Sequence, residues 1–525
     1  EMRAILSVSN KEDIDLLGQG LAKLGVEIYS TGGTQRVLEA AGVPVRAVSD
    51  LTGFPEILGG RVKTLHPGVH GGILARRNID ADLEELNQHN LNTIDLVAVN
   101  LYPFGATAAT PGISLPDALE QIDIGGPTLL RAAAKNYLAV LPLCDPADYP
   151  AVLEALRRPG GPDEAFRSRL AAKTFRHTAR YDALIAAYLD QDSGSWPERL
   201  PLSLSQVQKL RYGENPQQQA AFYAVDLPHG GVSGLAAARQ MQGKPLSYNN
   251  LLDASAAWSV ASDYQPVAVT IIKHSNPCGL AQVEDDGGLE QSTLAAYELA
   301  LAGDPLAAFG GVVAVNAPVA GALARRLTQR LYEIVLALDF SAEARDILST
   351  RPNLRVLAMP PTLAKEFQYR SVVGGLLLQE PDHLDDSEVT GGSVVTRRLP
   401  SDAEWQALSF AWRAVRHVKS NAIVLAQAGE GPAAGQTALV GMGAGQPSRV
   451  AAVEIAVQRA GPRASGSVLA SDAFFPKADG IEAAARAGVR AVVQPGGSRG
   501  DDEVIAAADA AGLVMVFTGK RHFNH

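Results

Sequence analysis

Short β-branched runs alternate with Ala-rich and Leu-rich stretches almost from end to end of this 525-residue chain, and no other feature limits its fold so strongly. Strands that recur with helical stretches between them pair into sheets covered by helices, which is α/β architecture. In the N-terminal part the strand candidates are AILSVS (Ala4 to Ser9), VEIYST (Val26 to Thr31), DLVAVNLY (Asp95 to Tyr102) and LAVLPLC (Leu138 to Cys144). All four are apolar without strict alternation, as parallel strands buried on both faces are.

At roughly 150 residues per domain the length predicts about three or four folding units. The segment from Gln191 to Leu204 lacks periodicity and is rich in turn formers, which puts a domain boundary near residue 198 and divides the chain into 1–198 and 199–525. Hydrophobic content of 46% with 19% charged residues is that of a soluble globular protein. No apolar run approaches the roughly 18 residues that span a membrane. The first expected strand begins at Ala4, which leaves no room for a signal peptide. With only Cys144 and Cys278 present, a disulfide framework is not expected and a reducing cytoplasm is. A net charge of −10 without a basic stripe argues against nucleic-acid binding, so an anionic ligand would need local basic pockets.

Such pockets are suggested in three N-terminal loops. VEIYSTGGT runs through Gly32, Gly33 and Thr34 straight into the helical TQRVLEAAG, and the first strand ends in Ser7, Ser9, Asn10 and Lys11 before another helical run. Glycines admit an anion to the backbone, and a helix start adds partial positive charge. GGRVKTLHP adds Arg61, Lys63 and His66 on a loop that could close over a phosphate. Tyr102 lies just past a buried strand. In LEQIDIGGPTLLRAAAKN, Gly125-Gly126 is expected to stop one helix and Pro127 to open the next, so that Asp123 and Lys135 could converge from different helices.

The sharpest chemical signal is Lys273-His274, at the end of the apolar run Ala268 to Ile272 and before SNPCG. An ammonium beside an imidazole can stabilise an oxyanion and move a proton near neutral pH. Asn-Pro-Cys-Gly reads as a run of turn formers that cannot continue the strand, so the pair is expected on an irregular loop. Lys273-His274-Ser275-Asn276 is weakly echoed in Lys419-Ser420-Asn421, as a duplicated unit would leave it.

ILSVSNK, YSTGGT, LTGFPEILGGRVKTLHP, VNLYPF, QIDIGGPTLLRAAAKN, LRYGENPQQ, IIKHSNPCG, VKSNAIVLA, GMGAGQPSR, SDAFFP and KRHFNH, in this order, resemble the bifunctional purine-biosynthesis family. That family joins 5-aminoimidazole-4-carboxamide ribonucleotide (AICAR) transformylase to inosine monophosphate (IMP) cyclohydrolase. The resemblance covers essentially the whole chain. It implies an N-terminal cyclohydrolase with a methylglyoxal-synthase-like, doubly wound parallel sheet. It also implies a C-terminal transformylase of two cytidine-deaminase-like α/β units. By the same resemblance Ser9, Lys11, Thr31, Gly32, Gly33, Thr34, Arg61, Lys63 and Thr64 would hold the nucleotide, and Tyr102, Asp123 and Lys135 would surround ring closure. Lys273 and His274 would be catalytic in formyl transfer, Arg211, Tyr212, Asn421 and Arg521 would bind AICAR, and Arg449 and Asp472 would face the folate. AICAR, formyl-AICAR and IMP are the implied ligands and 10-formyltetrahydrofolate the co-substrate, with no metal required. The implied assembly is a homodimer with shared transformylase sites, and no nucleic-acid or membrane partner is expected.

Rival readings fare worse on the residues themselves. A zinc deaminase needs PCxxC, and the position three after Cys278 is Ala281. A dinucleotide dehydrogenase needs GxGxxG, which GMGAGQ fails at Gln446. Cys278 fits a small loop residue better than a nucleophile. A nucleotide-sensing regulatory protein remains as the non-enzyme alternative, but Tyr102, Asp123, Lys135, Lys273 and His274 would be surplus to it.

Overall fold

The computed structural model describes residues 2–190, 196–227, 231–284, 288–361, 367–429 and 431–525. Part of the expected boundary segment, residues 191–195, lies outside them. The chain forms two compact units, one of residues 1–205 with 225–232 and one of residues 206–224 with 233–525.

The first unit is built on strands β1 (Arg3–Leu6), β2 (Glu27–Ser30), β3 (Arg46–Ala47), β4 (Leu96–Ala98) and β5 (Leu141–Leu143), in the spatial order β3-β2-β1-β4-β5. All neighbours are parallel. Because side chains alternate along a strand, Ala4 and Leu6 of β1 enter one apolar core while Ile5 enters the other. The first core receives Ile14, Leu17 and Leu21 of helix α1 (Ile14–Lys23), and the second receives Leu129, Leu130 and Ala133 of helix α3 (Gly125–Lys135). Helix α2 (Gly32–Ala40) follows β2 directly. Pro142 has no N–H to donate, and it sits on the edge strand β5 where none is needed on the outer side. Strand β4 is shorter at its carboxyl end than the apolar run to Tyr102 suggests, because past Ala98 the chain turns out to build the ligand end of the sheet.

In the second unit twelve strands among the described residues form one mixed sheet. Its first half comprises β6 (Arg239–Gln242), β7 (Val267–Lys273), β8 (Asn276–Val283), β9 (Val312–Val315), β10 (Ile334–Ala337) and β11 (Arg355–Ala358). The second half comprises β12 (Ser393–Val394), β13 (Ile423–Ala428), β14 (Gln436–Gly443), β15 (Val468–Ser471), β16 (Ala491–Gln494) and β17 (Val514–Phe517). The order is β12-β17-β16-β15-β13-β14-β8-β7-β9-β10-β11-β6, so the halves mirror each other across the antiparallel pair β8·β14. Each half runs helix, antiparallel hairpin, helix, then three parallel strands, with its first short strand pairing antiparallel on the outer edge. The leading helices are α4 (Tyr248–Ala261) and α6 (Asp402–Val415), and the helices after the hairpins are α5 (Leu289–Gly303) and α7 (Arg449–Ala460).

Each inner strand carries a glycine against a helix, Gly279 in the first half of β8 and Gly443 at the end of β14. A Cβ on Gly279 of β8 would lie 2.1 Å from the Ala300 carbonyl oxygen of α5, and one on Gly443 of β14 would lie 2.0 Å from that of Ala452 in α7. Both helices thus press on the sheet where only glycine fits. The Lys273 and Lys419 echo does not mark the repeat, since Lys273 ends β7 whereas Lys419 precedes β13, the strand equivalent to β7.

Two further expectations are corrected. SNPCG does not break the chain into a loop: Asn276–Val283 is a strand, antiparallel to β7, with a register shift between Pro277 and Gly279 that absorbs the proline and glycine. Cys278 is accordingly a buried strand residue whose thiol donates to the Ile271 carbonyl at 3.3 Å. Gly125-Gly126 does not end a helix either. It begins α3, with Pro127 in the first turn.

Candidate functional sites

Strand order in the first unit reverses direction at β1, which has β2 on one side and β4 on the other, and ligands of such sheets settle at the carboxyl ends beside that switch. A chamber of about 630 Å³ opens there. Ser9 and Lys11 reach it from the loop after β1, Thr31 to Thr34 from the junction of β2 and α2, and Tyr102 from the loop after β4. Arg61, Lys63 and Thr64 close it from a separate loop, and Asp123 stands at the start of α3. Gly32 has φ 44°, a left-handed backbone that a side chain would strain.

Inner hydrogen bonds fix this wall before any ligand arrives. Thr34 Oγ1 accepts from the Val8 N–H at 3.1 Å and from Lys11 Nζ at 3.2 Å, while Ser7 and Thr31 share a hydroxyl bond of 3.0 Å. Burial lowers the pKa of Lys11, so a bound dianion would relieve a desolvated ammonium. Arg61 pairs with Glu120 at 3.2 Å and Lys63 with Glu56 at 3.4 Å, exposed pairs that a phosphate can displace at little cost.

Asp123 is the acid-base candidate. Its Oδ1 accepts the Gly126 N–H at 2.8 Å, and its own N–H is held by the Tyr181 hydroxyl at 2.8 Å. Burial pushes its pKa up, against the backbone N–H groups of Gly126 and Tyr102, which pull it down. Tyr181 carries no signal in the sequence, being 58 residues downstream of the carboxylate it supports. The glycines of the pair have a steric reason: a Cβ on Gly126 would lie 2.4 Å from Asp123 Oδ2 and 2.9 Å from Leu101 Cδ2, and one on Gly125 would meet Thr64 Oγ1 at 2.9 Å. Gly126→Ala is therefore expected to displace Asp123 and to lower stability by about 1–3 kcal/mol. Urea melts of the variant check this.

Lys135 does not join this constellation. It is the exposed last residue of α3, the helix whose first turn holds Asp123, and eleven helical residues put about 15 Å between the two ends. The expected convergence from different helices fails because a single helix separates the pair. His66 also has another task, its Nδ1 capping the helix Pro67–Leu74 by accepting the Gly68 N–H at 3.0 Å.

In the second unit Lys273-His274-Ser275-Asn276 is a two-residue hairpin turn between β7 and β8. His274 and Ser275 have φ of 50° and 61°, as the hairpin turn with two left-handed residues requires. Neither residue is glycine, so the conformation costs energy that the surroundings must offset. Asp253 of α4 does so by accepting the Ser275 N–H at 2.7 Å. The strained turn leaves the His274 ring exposed at the tip. Lys273 is held back by the carbonyls of Phe309 and Gly310 at 3.1 and 3.2 Å, where a Cβ on Gly310 would come within 3.2 Å of its Nζ.

The two Lys-containing segments are neighbours in space. Asn276 Oδ1 accepts the Lys419 N–H at 3.3 Å, and Asn276 Nδ2 donates to the His274 carbonyl at 3.0 Å. Asn421 follows, its Oδ1 accepting from Arg449 at 2.6 Å and its Nδ2 donating to the Gln446 carbonyl at 2.8 Å. Arg449 is buried and also bonds Ser471 at 2.7 Å and Asp472 at 2.5 Å, so Arg449 and Asp472 form an internal ion pair behind Asn421. Residues 520–525 complete the cluster: Asn524 Oδ1 and the His525 carbonyl each accept from Lys419 Nζ at 3.1 Å. Arg521 in this tail is exposed and lies over the Phe523 ring at 4.6 Å. Arg211 and Tyr212 stack at 4.8 Å in a loop tied to the start of α4 by the bond from Asn249 to the Glu214 carbonyl. Sequence reasoning missed Asp253, Lys419 as a contact of the turn, and Asn524. Only Lys419 left a trace, through the echo.

Comparison with known proteins adds an independent line. Residues 133–459 match the family described as AICARFT/IMPCHase bienzyme, and residues 14–128 match the family described as MGS-like domain. The curated "Bifunctional purine biosynthesis protein PurH" of Halalkalibacterium halodurans is 48% identical over 528 residues, covering 100% of this chain and 99% of the relative. The protein of the same name from Chloroflexus aurantiacus is 53% identical over 532 residues, and that from Anoxybacillus flavithermus 49% over 528, each with the same coverage.

Proposed function

Since the chain belongs to the AICARFT/IMPCHase bienzyme family and catalyses AICAR formylation and IMP cyclisation, the last two steps of purine synthesis, we propose that the steps are divided between its two units. Ring closure falls to the chamber at the β1 switch point and formyl transfer to the cluster around the Lys273–Asn276 turn. The observation that carries this reading is that each unit holds its own proton-moving group amid its own anion-binding residues: Asp123 with Lys11, Arg61 and Lys63 in one, His274 with Lys273 and Lys419 in the other.

In formyl transfer the 5-amino group of AICAR is a poor nucleophile, because its lone pair is delocalised into the imidazole and carboxamide. Its nitrogen attacks the formyl carbon of 10-formyltetrahydrofolate as His274 takes the amino proton. Lys273, fixed by two carbonyls, stabilises the developing oxyanion, and collapse expels N10 of tetrahydrofolate, which leaves with a proton. Arg211, Tyr212, Asn421 and Arg521 are assigned to AICAR, with Arg449 and Asp472 on the folate side. Exposed Arg521 and the Arg211-Tyr212 stack support the first assignment, and the preformed ion pair supports a structural contribution from the second.

For cyclisation, Ser9, Lys11, Thr31 to Thr34, Arg61, Lys63 and Thr64 hold the phosphate and ribose of formyl-AICAR. The carboxamide nitrogen then attacks the formyl carbon as Asp123 takes one amide proton and passes it to the new alkoxide, and the resulting hydroxyl leaves as water with a second proton, the one the former formamide nitrogen loses as the ring C=N bond forms. Tyr102 and Lys63 stabilise the oxygen in between. Much of the rate comes from folding one molecule into a near-attack geometry. Lys135 is assigned to this step on the resemblance alone. A loss of 100-fold or more in Lys135→Ala would place its amine at the substrate, and a loss under tenfold would remove it from the chemistry.

Both steps use protein groups only, so exhaustive chelation is expected to leave both rates unchanged. We place the protein in the cytoplasm, a reading supported by two buried free thiols. Among the described residues no helix is long and apolar enough to cross a membrane. A homodimer with shared transformylase sites is supported by the hairpin Gln368–Val372 and Gly375–Gln379, which exposes Val373, Leu376 and Leu377 beside the tail that Arg370 holds through the His525 carbonyl. His274→Ala chains reassembled with Arg521→Ala chains should then recover roughly a quarter of wild-type transfer. A site built within one chain recovers none.

A further inference from the structure

Residues 520–525 have no helix or strand of their own, yet they supply Asn524 to the transfer cluster. Something must hold them. Of these six residues only His522 is buried, at 3% exposure. Its Nδ1 lies 2.7 Å from Asp382 Oδ2 and its Nε2 lies 2.9 Å from Glu388 Oε2. A neutral imidazole has a single N–H, so two carboxylate acceptors on opposite ring nitrogens call for the imidazolium.

The socket is built around that charge. Glu388, itself 7% exposed, also accepts from Trp412 Nε1 at 3.1 Å and from Lys520 Nζ at 3.0 Å, and the Trp412 ring meets the imidazole edge to face at 5.2 Å. Burial alone would raise the Glu388 pKa, but hydrogen bonds from His522, Trp412 and Lys520 bring it down to about 2. Burial would lower that of His522, but the hydrogen bonds to Asp382 and Glu388 prevail and raise it. The titratable groups facing the ring are therefore Asp382 and Glu388, with Lys520 behind Glu388. The nearby Asp472 carboxylate is committed to Arg449 and Ser420, and only its backbone carbonyl touches His522, accepting its N–H at 3.0 Å.

From this anchor a continuous path leads to the turn. The Asn524 carbonyl accepts the Ser420 N–H at 2.9 Å and its side chain accepts from Lys419 Nζ, while the Lys419 N–H binds Asn276, which holds the His274 carbonyl. We propose that His522, seated as an imidazolium between Asp382 and Glu388, is a positioning residue for formyl transfer, fixing residues 520–525 so that Asn524 sets Lys419 beside the Lys273-His274 turn. The proposal rests on the reading that this turn is the transfer site.

The test compares full-length wild type, His522→Gln and Glu388→Gln across pH, following formyl transfer and ring closure in the same samples. His522→Gln should lose about tenfold or more in formyl-transfer kcat, as misplaced catalytic groups do, with ring closure unchanged. Wild-type transfer should fall as pH rises through the raised His522 pKa. Glu388→Gln, with one carboxylate neutral, should move that alkaline limb to lower pH. His522→Gln with wild-type transfer kcat, or Glu388→Gln with an unmoved limb, would overturn the proposal. If His522→Gln cannot be obtained folded, as a melting transition unlike that of wild type would reveal, the limb in Glu388→Gln decides alone. Failure of the underlying reading looks different: His274→Ala would then transfer formyl at the wild-type rate, whatever His522→Gln does.

Discussion

His274→Ala is expected to lower formyl transfer by about 10²–10⁴-fold while leaving ring closure at the wild-type rate, the size of effect that follows when a general base is removed. The imidazole stands at the exposed tip of a two-residue turn, anchored only through backbone: Asp253 holds the next N–H and Asn276 the carbonyl. Removing this exposed ring takes away little packing. The melting temperature should therefore stay within a degree or two, and trading a left-handed His for Ala leaves the strain of the turn in place. Paired measurements of melting temperature and both rates check this. A packing histidine would instead lose stability, with activity following the folded fraction.

Asp123→Asn is expected to lower ring closure by about 10² or more and to leave formyl transfer intact. The amide keeps an oxygen to accept the Gly126 N–H, so the first turn of α3 should hold, but it no longer takes a proton. The sign of the pH dependence follows from the burial that raises the Asp123 pKa. As the base, Asp123 must be ionised, so wild-type ring closure should fall as pH drops through a value above the ordinary carboxylate range. The pH profile of formyl transfer, which uses a different base, should be the same in wild type and Asp123→Asn. The residual rate of Asp123→Asn should be flat there, and rate profiles on supplied formyl-AICAR measure it. A wild-type profile without that acid limb would take the proton-accepting role from Asp123.

The first-unit chamber was largely legible in the sequence, since many of its parts lie at strand ends, marked by apolar runs breaking into Gly, Ser and Lys, and the rest in a loop crowded with cations and at a helix start. Ser9, Lys11, the Thr31 to Thr34 loop, Arg61, Lys63, Thr64, Tyr102 and Asp123 all line it. What failed was local geometry. Gly125-Gly126 reads equally as a stop or a start, and only the crowding of Gly126 against Asp123 shows why the helix begins there. Asn-Pro-Cys-Gly reads as a loop because propensity ignores pairing, and β7, with which this segment pairs, imposes a strand. Long-range partners such as Asp253, Tyr181 and the Asp382–His522–Glu388 socket leave no periodic or motif signature, being joined across 22 to 140 residues.

Two separate sites, each sufficient for its own step, are the centre of this account, and mixing two damaged proteins tests them most directly. Asp123→Asn protein given AICAR and 10-formyltetrahydrofolate should accumulate formyl-AICAR, and His274→Ala protein given the same substrates should make only a trace of product. Combined, they should form IMP at a rate approaching that of wild type, one releasing the intermediate and the other closing it. No more IMP from the mixture than from the two proteins assayed apart, with both folded, would contradict the division of labour between the units.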